Sequence, residues 1–179
     1  SSDLQPAPNF SVTDSGDKMI SLADYRGKLV VLELTKEGCP FVQQYYKQGN
    51  MQALQKEYTS KGVAWLSVIS SAPGKQGYAD GARADELTQQ RGAKPTAVLL
   101  DPKGTLGHLY HAQNTPQMFV IDAGGKLIYS GAIDSLPSTD PADIVKASPY
   151  FKTALDQALG GHAISRPLTV PYGCSIKYR

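Results

Sequence analysis

The chain has 179 residues, a length that fits one domain, and a domain of that size buries about 70% of the surface that its unfolded chain would expose. Hydrophobic residues make up 41% and charged residues 19%, which excludes a disordered or collagen-like protein, and no apolar run approaches the roughly 18 residues of a membrane span. The net charge of +2 comes from 18 basic and 16 acidic residues with no two basic residues adjacent, so the sequence offers no basic patch for DNA or RNA.

A hairpin and a buried strand begin the chain. Residues 7–14 and 19–22 flank a Ser-Gly-Asp turn and predict two short antiparallel strands. Residues 28–35 form a nearly continuous apolar run that is rich in branched side chains. This pattern is typical of a strand that is buried on both faces of a parallel sheet, and it predicts the central strand of the fold.

A helix and a second strand follow the central strand. Residues 40–61 have helical periodicity that is interrupted at Gly49, and Asn50 is the expected cap of the second half. Residues 63–69 predict a strand, and residues 84–91 predict a short helix that a glycine ends. The strand-helix-strand order predicts a right-handed parallel crossover and therefore an α/β protein.

The second half of the chain predicts a strand, a hairpin and a covering helix. Residues 96–100 read as the third strand, with a short helix after it. Residues 118–122 and 126–131 flank a glycine turn and predict an antiparallel pair. After a short helical piece that Pro141 opens, the last helix begins near Pro149.

The remainder of the sequence reads as an irregular polar tail. We therefore predict a domain over residues 1–161 and a C-terminal tail over 162–179 that carries Cys174. The chain begins with serine, and its first methionine is Met19, so we expect a processed mature protein or a trimmed one.

Cys39 stands at the junction between the central strand and the first helix. Pro40 suits the first helical position, which places Cys39 at the helix N-cap. Free backbone N–H groups and the positive end of the helix dipole stabilise a thiolate there, and open α/β sheets place their sites at this end of the strands. These features predict a reactive thiol. The alternative is a small buried side chain without a chemical role.

Three segments in this order resemble the thioredoxin superfamily. They are Gly-Cys-Pro-Phe-Val at 38–42, Asp-Pro-Lys-Gly at 101–104 and Thr-Pro-Gln-Met-Phe-Val-Ile-Asp at 115–122. Within the superfamily the chain is similar to the redoxin branch, the alkyl hydroperoxide reductase and thiol-specific antioxidant (peroxiredoxin-like) proteins, over about residues 6–160. The resemblance implies a thioredoxin-like fold, with a central mixed β-sheet flanked by helices, an N-terminal β-hairpin and an irregular C-terminal tail.

The resemblance also implies a substrate-binding loop. Thr115 and Pro116 match the cis-proline loop of the superfamily, which faces the reactive cysteine. The backbone at residue 115 would pair with an extended thiol substrate, next to Cys39 and Pro40. The alternative is an ordinary trans proline at the start of a strand.

Glu33 resembles the buried acid that relays protons in thioredoxins, since it lies inside the central strand and six residues before Cys39. A carboxylate in such an apolar strand is desolvated, which makes Glu33 a candidate acid or base. The alternative is a strand edge at which the side chain reaches solvent.

Two departures from the family patterns limit what the resemblance implies. Val42 stands where C-x-x-C proteins have their second cysteine, so a local dithiol is excluded. Leu32 and Lys36 stand at the Pro and Thr positions of the peroxiredoxin pattern P-x-x-x-T-x-x-C. Peroxide activation by the usual Thr and Arg pair is therefore not supported.

Cys174 is the candidate resolving thiol for Cys39, as in redox proteins whose resolving cysteine is remote. Its alternatives are an incidental thiol and a bridge between two chains. The expected activity is that of a thiol-dependent oxidoreductase with Cys39 as nucleophile, in peroxide reduction or thiol-disulfide exchange. A non-catalytic thioredoxin-fold binding module is the alternative from another class.

The expected partners follow from that activity. They are a protein thiol or disulfide, or a peroxide, as substrate, and an external thiol reductant, with no nucleic acid and no membrane span. No cofactor and no metal are expected. A periplasmic or secreted location, after removal of a signal peptide, fits a persistent disulfide.

Overall fold

A six-stranded mixed sheet forms the centre of the chain in the computed structural model, which describes residues 5–179. The first four residues of the predicted domain lie outside this part. The strands are β1 (Gln5–Pro6), β2 (Ser11–Thr13), β3 (Met19–Ser21), β4 (Val30–Leu34), β5 (Ala64–Ile69), β6 (Ala97–Leu100), β7 (Asn114–Thr115), β8 (Gln117–Ile121), β9 (Lys126–Gly131) and β10 (Cys174–Ser175).

The α-helices are α1 (Pro40–Tyr46), α2 (Asn50–Ser60), α3 (Gly81–Arg91), α4 (Thr105–Leu109) and α5 (Tyr150–Leu159). Two 3₁₀ helices, Leu22–Tyr25 and Pro141–Lys146, complete the regular structure of the described residues. None of these helices is long and apolar enough to cross a bilayer.

The strand order in the main sheet is β1-β9-β8-β4-β5-β6. Strands β4, β5 and β6 are parallel, whereas β8 and β9 are antiparallel to their neighbours. Strand β4 therefore lies in the middle, and all five of its residues are buried, as its apolar run predicts. The predicted α/β class and the central mixed sheet are confirmed.

Each face of the sheet is covered by a separate core. On one face, α1, α2 and α5 pack against Val31, Trp65 and Met118. On the other face, Leu32 and Leu66 pack with the N-terminal hairpin, the residues of α4 and the C-terminal tail. Alternate residues of β4 point to opposite faces, so this one strand contributes to both cores.

Local signals account for the helix ends, and two of them differ from the sequence prediction. Gly49, with φ of 82°, is the N-cap of α2, and Asn50 is its first residue, because a left-handed conformation at that turn favours glycine. Helix α3 begins at Gly81 rather than at residue 84, because the Asp80 side chain accepts a hydrogen bond from the backbone N–H of Arg83 and caps the earlier start.

The Asp-Pro-Lys-Gly segment organises the start of α4. The buried carboxylate of Asp101 accepts hydrogen bonds from the backbone N–H groups of Leu106 and Gly107 and from the hydroxyl of Ser70. These bonds satisfy amides that the short helix leaves unpaired. The motif thus serves to connect β6, α4 and the loop after β5.

Candidate active site

A disulfide joins Cys39 and Cys174 within the chain, with the two Cα atoms 6.0 Å apart. This separation lies inside the usual range for disulfides. Cys39 is the N-cap of α1 and Pro40 is the first helical residue, as predicted from the sequence. The structure therefore contains the predicted pair, rather than two isolated thiols.

The two sulfur atoms have different surroundings. Cys39 is fully buried, whereas Cys174 is partly exposed. The Cys39 side chain makes no capping hydrogen bond to the helix backbone, and its Sγ lies 3.4 Å from the carbonyl oxygen of Thr115. An external thiol can therefore approach Cys174 more readily than Cys39.

The loop that faces the disulfide contains the predicted cis proline. The Thr115–Pro116 peptide bond is cis, and Thr115 is fully buried in β7. The side-chain oxygen of Gln117 accepts hydrogen bonds from the backbone N–H groups of Gln113 and Asn114. These bonds fix the backbone that precedes the proline.

The C-terminal tail lies along this loop as an extended strand. Strand β10 pairs antiparallel with β7, so that Cys174 lies opposite Thr115 and Ser175 opposite Asn114. The amide nitrogen of Ile176 donates to the carbonyl of Gln113. The tail thus occupies the backbone position that the resemblance assigns to an extended thiol substrate.

Close packing at Gly173 holds the tail against the loop. Its φ is 130°, and a Cβ at this position would lie 2.0 Å from the carbonyl oxygen of Thr115. The side-chain amide of Asn114 donates to the Gly173 carbonyl. Only glycine allows this close approach.

The tail after the disulfide is irregular, as expected from the sequence, and it is nevertheless anchored. Ile176 is buried in the core that contains Leu32, and the Tyr178 ring stacks on His108 with 3.9 Å between ring centroids. The Tyr178 hydroxyl donates to the Ala112 carbonyl. The sequence signal for this segment is a short alternation of side chains, Tyr172, Cys174, Ile176 and Tyr178.

A buried carboxylate holds the tail just before Cys174. Asp134 accepts hydrogen bonds from the hydroxyls of Tyr172 and Tyr45 and from the backbone N–H of Leu136. Burial, followed by the hydrogen bond to Asp134 and then by the Asp134 charge, raises the pKa of both tyrosines. The Tyr172 ring also packs edge-on against Phe41 of α1. No local sequence pattern marks this cluster, because its members are distant in the chain.

Glu33 is fully buried and accepts hydrogen bonds from four side chains. Its Oε1 accepts from Trp65, Ser67 and Gln55, and its Oε2 accepts from Tyr46 at 2.6 Å. Burial and the Glu33 charge raise the pKa of Tyr46. This arrangement rules out a solvent-exposed strand edge. Among residues 5–179, no hydrogen bond joins Glu33 to either cysteine, so its proton-transfer role stays a prediction.

Lys36 contacts the tail at Ser175, the residue after Cys174. Its side chain is buried, and its Nζ donates to the Ser175 carbonyl at 2.9 Å and to the Gln76 side chain at 3.3 Å. The backbone N–H of Ala72, in the loop that also contains Gln76, donates to the Lys177 carbonyl. The loop after β5 therefore contacts the tail.

A cavity of about 670 Å³ lies at the opposite end of the sheet. Its lining includes Leu29 and Val63, which precede β4 and β5, whereas Cys39 follows β4. It contains neither cysteine. Among the described residues, no group of three or more His, Cys, Asp or Glu side chains is placed to hold a metal ion.

The sequence profile of the AhpC/TSA family matches residues 4–130. The chain belongs to the AhpC/TSA family. The match covers more than half of the sequence, including the Cys39 loop and the cis-proline loop, and it ends before the tail that carries Cys174. No curated protein sequence matches the chain.

Solved structures share the thioredoxin-like fold with this member of the AhpC/TSA family. An uncharacterized conserved protein from Geobacillus kaustophilus has a TM-score of 0.85 at 23% identity, over 98% of this chain and 92% of that one. A hypothetical protein from Sinorhizobium meliloti 1021 has a TM-score of 0.82 at 21% identity, over 98% and 94%. The exposed lipoprotein thioredoxin of Streptococcus pneumoniae strain TIGR4 has a TM-score of 0.57 at 24% identity, over 75% and 95%.

The structure thus brings together five of the six residues predicted for the site. These are the two bonded cysteines, Cys39 and Cys174, and three neighbouring residues, Pro40, Thr115 and Pro116. Glu33 lies in the hydrogen-bond cluster beneath α1 and α2.

Proposed function

We propose that this protein is a redoxin-type thiol-disulfide oxidoreductase in which Cys39 and Cys174 alternate between a disulfide and a dithiol. One observation carries the proposal: a buried cysteine at a helix start is bonded to a cysteine on a strand that pairs with the cis-proline loop. Membership of the AhpC/TSA family supports thiol chemistry at this position.

In the reducing direction, the Cys39 thiolate attacks one sulfur of a substrate disulfide. A mixed disulfide forms and the other substrate sulfur leaves as a thiolate, which takes a proton. The Cys174 thiolate then attacks Cys39 Sγ and releases the second substrate thiolate. The substrate gains two electrons and two protons, and the protein is left in the disulfide form described here.

An external dithiol restores the reduced protein. Because Cys174 is the more exposed partner, the incoming thiolate attacks Cys174 Sγ, and Cys39 leaves as the thiolate. The second thiol of the reductant then attacks the mixed disulfide and releases Cys174. The reductant loses the two electrons that the protein gains.

Peroxide is the competing substrate. Attack of Cys39 on a peroxide would give a sulfenic acid and an alcohol or water, and condensation with Cys174 would release water. Lys36 stands at the position of the peroxiredoxin threonine, and its Nζ bonds to the tail. We therefore propose exchange as the primary reaction.

Parallel kinetics test this assignment. The reduced protein is mixed with a peptide disulfide or with hydrogen peroxide, and re-formation of the Cys39–Cys174 bond is followed by alkylation and mass analysis. Exchange that is much faster than that of free cysteine, with peroxide reduction no faster, supports the proposal. Rapid peroxide reduction identifies a peroxidase instead. Cys39→Ser is the control in both reactions. If the reduced protein reacts with the peptide disulfide and with hydrogen peroxide no faster than free cysteine does, the protein is a binding module.

We further propose a periplasmic or secreted location. A structural relative is an exposed lipoprotein, and disulfides of this kind persist in oxidising compartments. Fractionation of the source cells, with alkylation of free thiols before lysis, tests this location. Recovery of the reduced protein in the cytosol would contradict it.

A further inference from the structure

Lys36 is a buried cation without an anionic partner. Only 1% of the residue is exposed, and the carbon atoms of its side chain lie under Gly77, where an added Cβ would come within 2.8 Å of them. Its two hydrogen-bond acceptors, the Ser175 carbonyl and the Gln76 amide oxygen, are neutral. Among residues 5–179, no carboxylate lies within 4.0 Å of its ammonium.

The charged groups near Lys36 do not supply the missing anion. Lys177, on the tail, carries the same sign of charge. Glu37, the next residue in the chain, forms an ion pair with Arg83 of α3. Burial, together with the Lys177 charge, lowers the pKa of Lys36, which is the expected direction for an ammonium that has lost its water without gaining a carboxylate.

The position of this cation relates it to both cysteines. Lys36 lies three residues before Cys39 in the loop between β4 and α1, and its hydrogen-bond acceptor Ser175 directly follows Cys174. A buried charge without a partner destabilises a protein, so the side chain is expected to serve another purpose. An anion arises on Cys39 Sγ, three residues along the chain from Lys36, when the disulfide opens, because the sulfur that leaves is a thiolate.

We propose that Lys36 is a positioning residue for thiol-disulfide exchange: its ammonium holds the Ser175 carbonyl in the disulfide form and stabilises the Cys39 thiolate once the disulfide opens. This inference rests on the proposed function. In the step concerned, the reductant thiolate bonds to Cys174 Sγ, the S–S bond breaks, and its electron pair goes to Cys39 Sγ. The positive charge of Lys36 then faces a negative charge, which it lacks in the disulfide form.

Substitutions that keep the shape of Lys36 but remove its charge distinguish this role from a structural one. Lys36→Met keeps an unbranched apolar stem, and Lys36→Gln also keeps a hydrogen-bond donor. Lys75→Met is the matched control, since Lys75 is exposed in the neighbouring loop after β5, beside Gln76, and forms no ion pair among the described residues. All three are made in the Cys174→Ser protein, so that Cys39 is the only thiol.

The measurement is the rate of Cys39 alkylation by iodoacetamide as a function of pH. Removal of the Lys36 charge is expected to move the alkylation midpoint up by about one pH unit, which slows alkylation about tenfold below that midpoint. Lys36→Met and Lys36→Gln are expected to shift it equally, and Lys75→Met is expected to leave it unchanged. Circular dichroism establishes whether each variant is folded. If Lys36→Met does not fold, Lys36→Gln alone provides the test.

Two results overturn the inference. In the first, the alkylation midpoint of both Lys36 variants stays within about 0.3 pH units of that of the parent Cys174→Ser protein, and the parent midpoint lies well below about 8.5, the usual pKa of cysteine. Lys36 then has no such role, and the proposed function stands. If the parent midpoint itself is near that usual value, Cys39 is not an activated thiol, and the proposed function fails together with the role of Lys36.

Discussion

The hydroxyl of Tyr172 donates a hydrogen bond to the buried carboxylate of Asp134, and this contact fixes the tail two residues before Cys174. Asp134 also accepts a hydrogen bond from Tyr45, which belongs to the helix that begins after Cys39. One carboxylate therefore connects the segments that carry the two cysteines. In the proposed cycle an extended substrate replaces the tail at the cis-proline loop of the reduced protein, so contacts that hold the tail there favour the disulfide.

Tyr172→Phe is expected to make the disulfide easier to reduce. The change removes one hydrogen bond to a charged group, worth about 1.5 kcal/mol, and keeps the ring that packs on Phe41. This energy corresponds to about a tenfold change in the equilibrium with glutathione. Quantification of free thiols in glutathione buffers measures the change. Tyr78→Phe, at an exposed tyrosine, is the control, and equal equilibria for both variants would show that the contact is irrelevant.

Gly173→Ala is expected to disrupt the pairing of β10 with β7. The added Cβ would lie 2.0 Å from the Thr115 carbonyl oxygen, and overpacking of this kind costs about 1–3 kcal/mol. Re-formation of the disulfide from the reduced protein should slow about tenfold, as followed by alkylation and mass analysis. Gly74→Ala also places an alanine at a positive φ, of 81°, but its Cβ would meet no atom within 4 Å. If the disulfide re-formed at the same rate in Gly173→Ala and Gly74→Ala, this would be evidence against the pairing of β10 with β7.

Glu33→Gln is expected to destabilise the protein by about 3 kcal/mol, which lowers the melting temperature by roughly 6–12 °C. The new side-chain amide keeps only one oxygen, so its N–H donors would face either Trp65 and Ser67, which donate to Oε1, or Tyr46, which donates to Oε2. Thermal unfolding measures the loss, and Glu57→Gln, on an ion pair at the surface of α2, is the control. A melting temperature equal to that of this control would contradict the expectation.

The same variant tests the predicted proton transfer. If Glu33 moves protons, exchange by the folded Glu33→Gln protein should slow at least tenfold and its pH profile should change. Exchange within twofold of the parent rate would restrict Glu33 to a structural role.

Alkaline pH is expected to weaken the docking of the tail. Burial, followed by the Asp101 charge, raises the pKa of Tyr178 to about 12, whereas a free phenol has a pKa of about 10. Between these values a detached tail loses the proton that the docked tail keeps. The detached state binds fewer protons, so docking is at full strength below about pH 10 and weakens as the pH rises towards 12.

Phenolate absorbance measures this effect. The difference between the titration curves of the parent protein and Tyr178→Phe should show one phenol that ionises near pH 12 in the folded protein and near 10 in urea. A midpoint near 10 in the folded protein would show that the Tyr178 ring is not docked.

The sequence by itself determined the elements that depend on neighbouring residues and on the family pattern. The buried run of β4, the glycine turn between β8 and β9, and Pro40 after Cys39 all act within a few residues, so the strands and the N-cap position of Cys39 were predictable. The resemblance of the Thr115–Pro116 loop to the superfamily added the cis peptide bond.

Only the tertiary structure decided how the tail is held. Four alternating side chains are too short a signal to reveal that β10 pairs with β7, because the pairing partner lies 59 residues away along the chain. Asp134 and Lys36 look like ordinary surface charges in the sequence. Their burial against the tail depends on where the fold brings Tyr172 and Ser175, which no local pattern specifies.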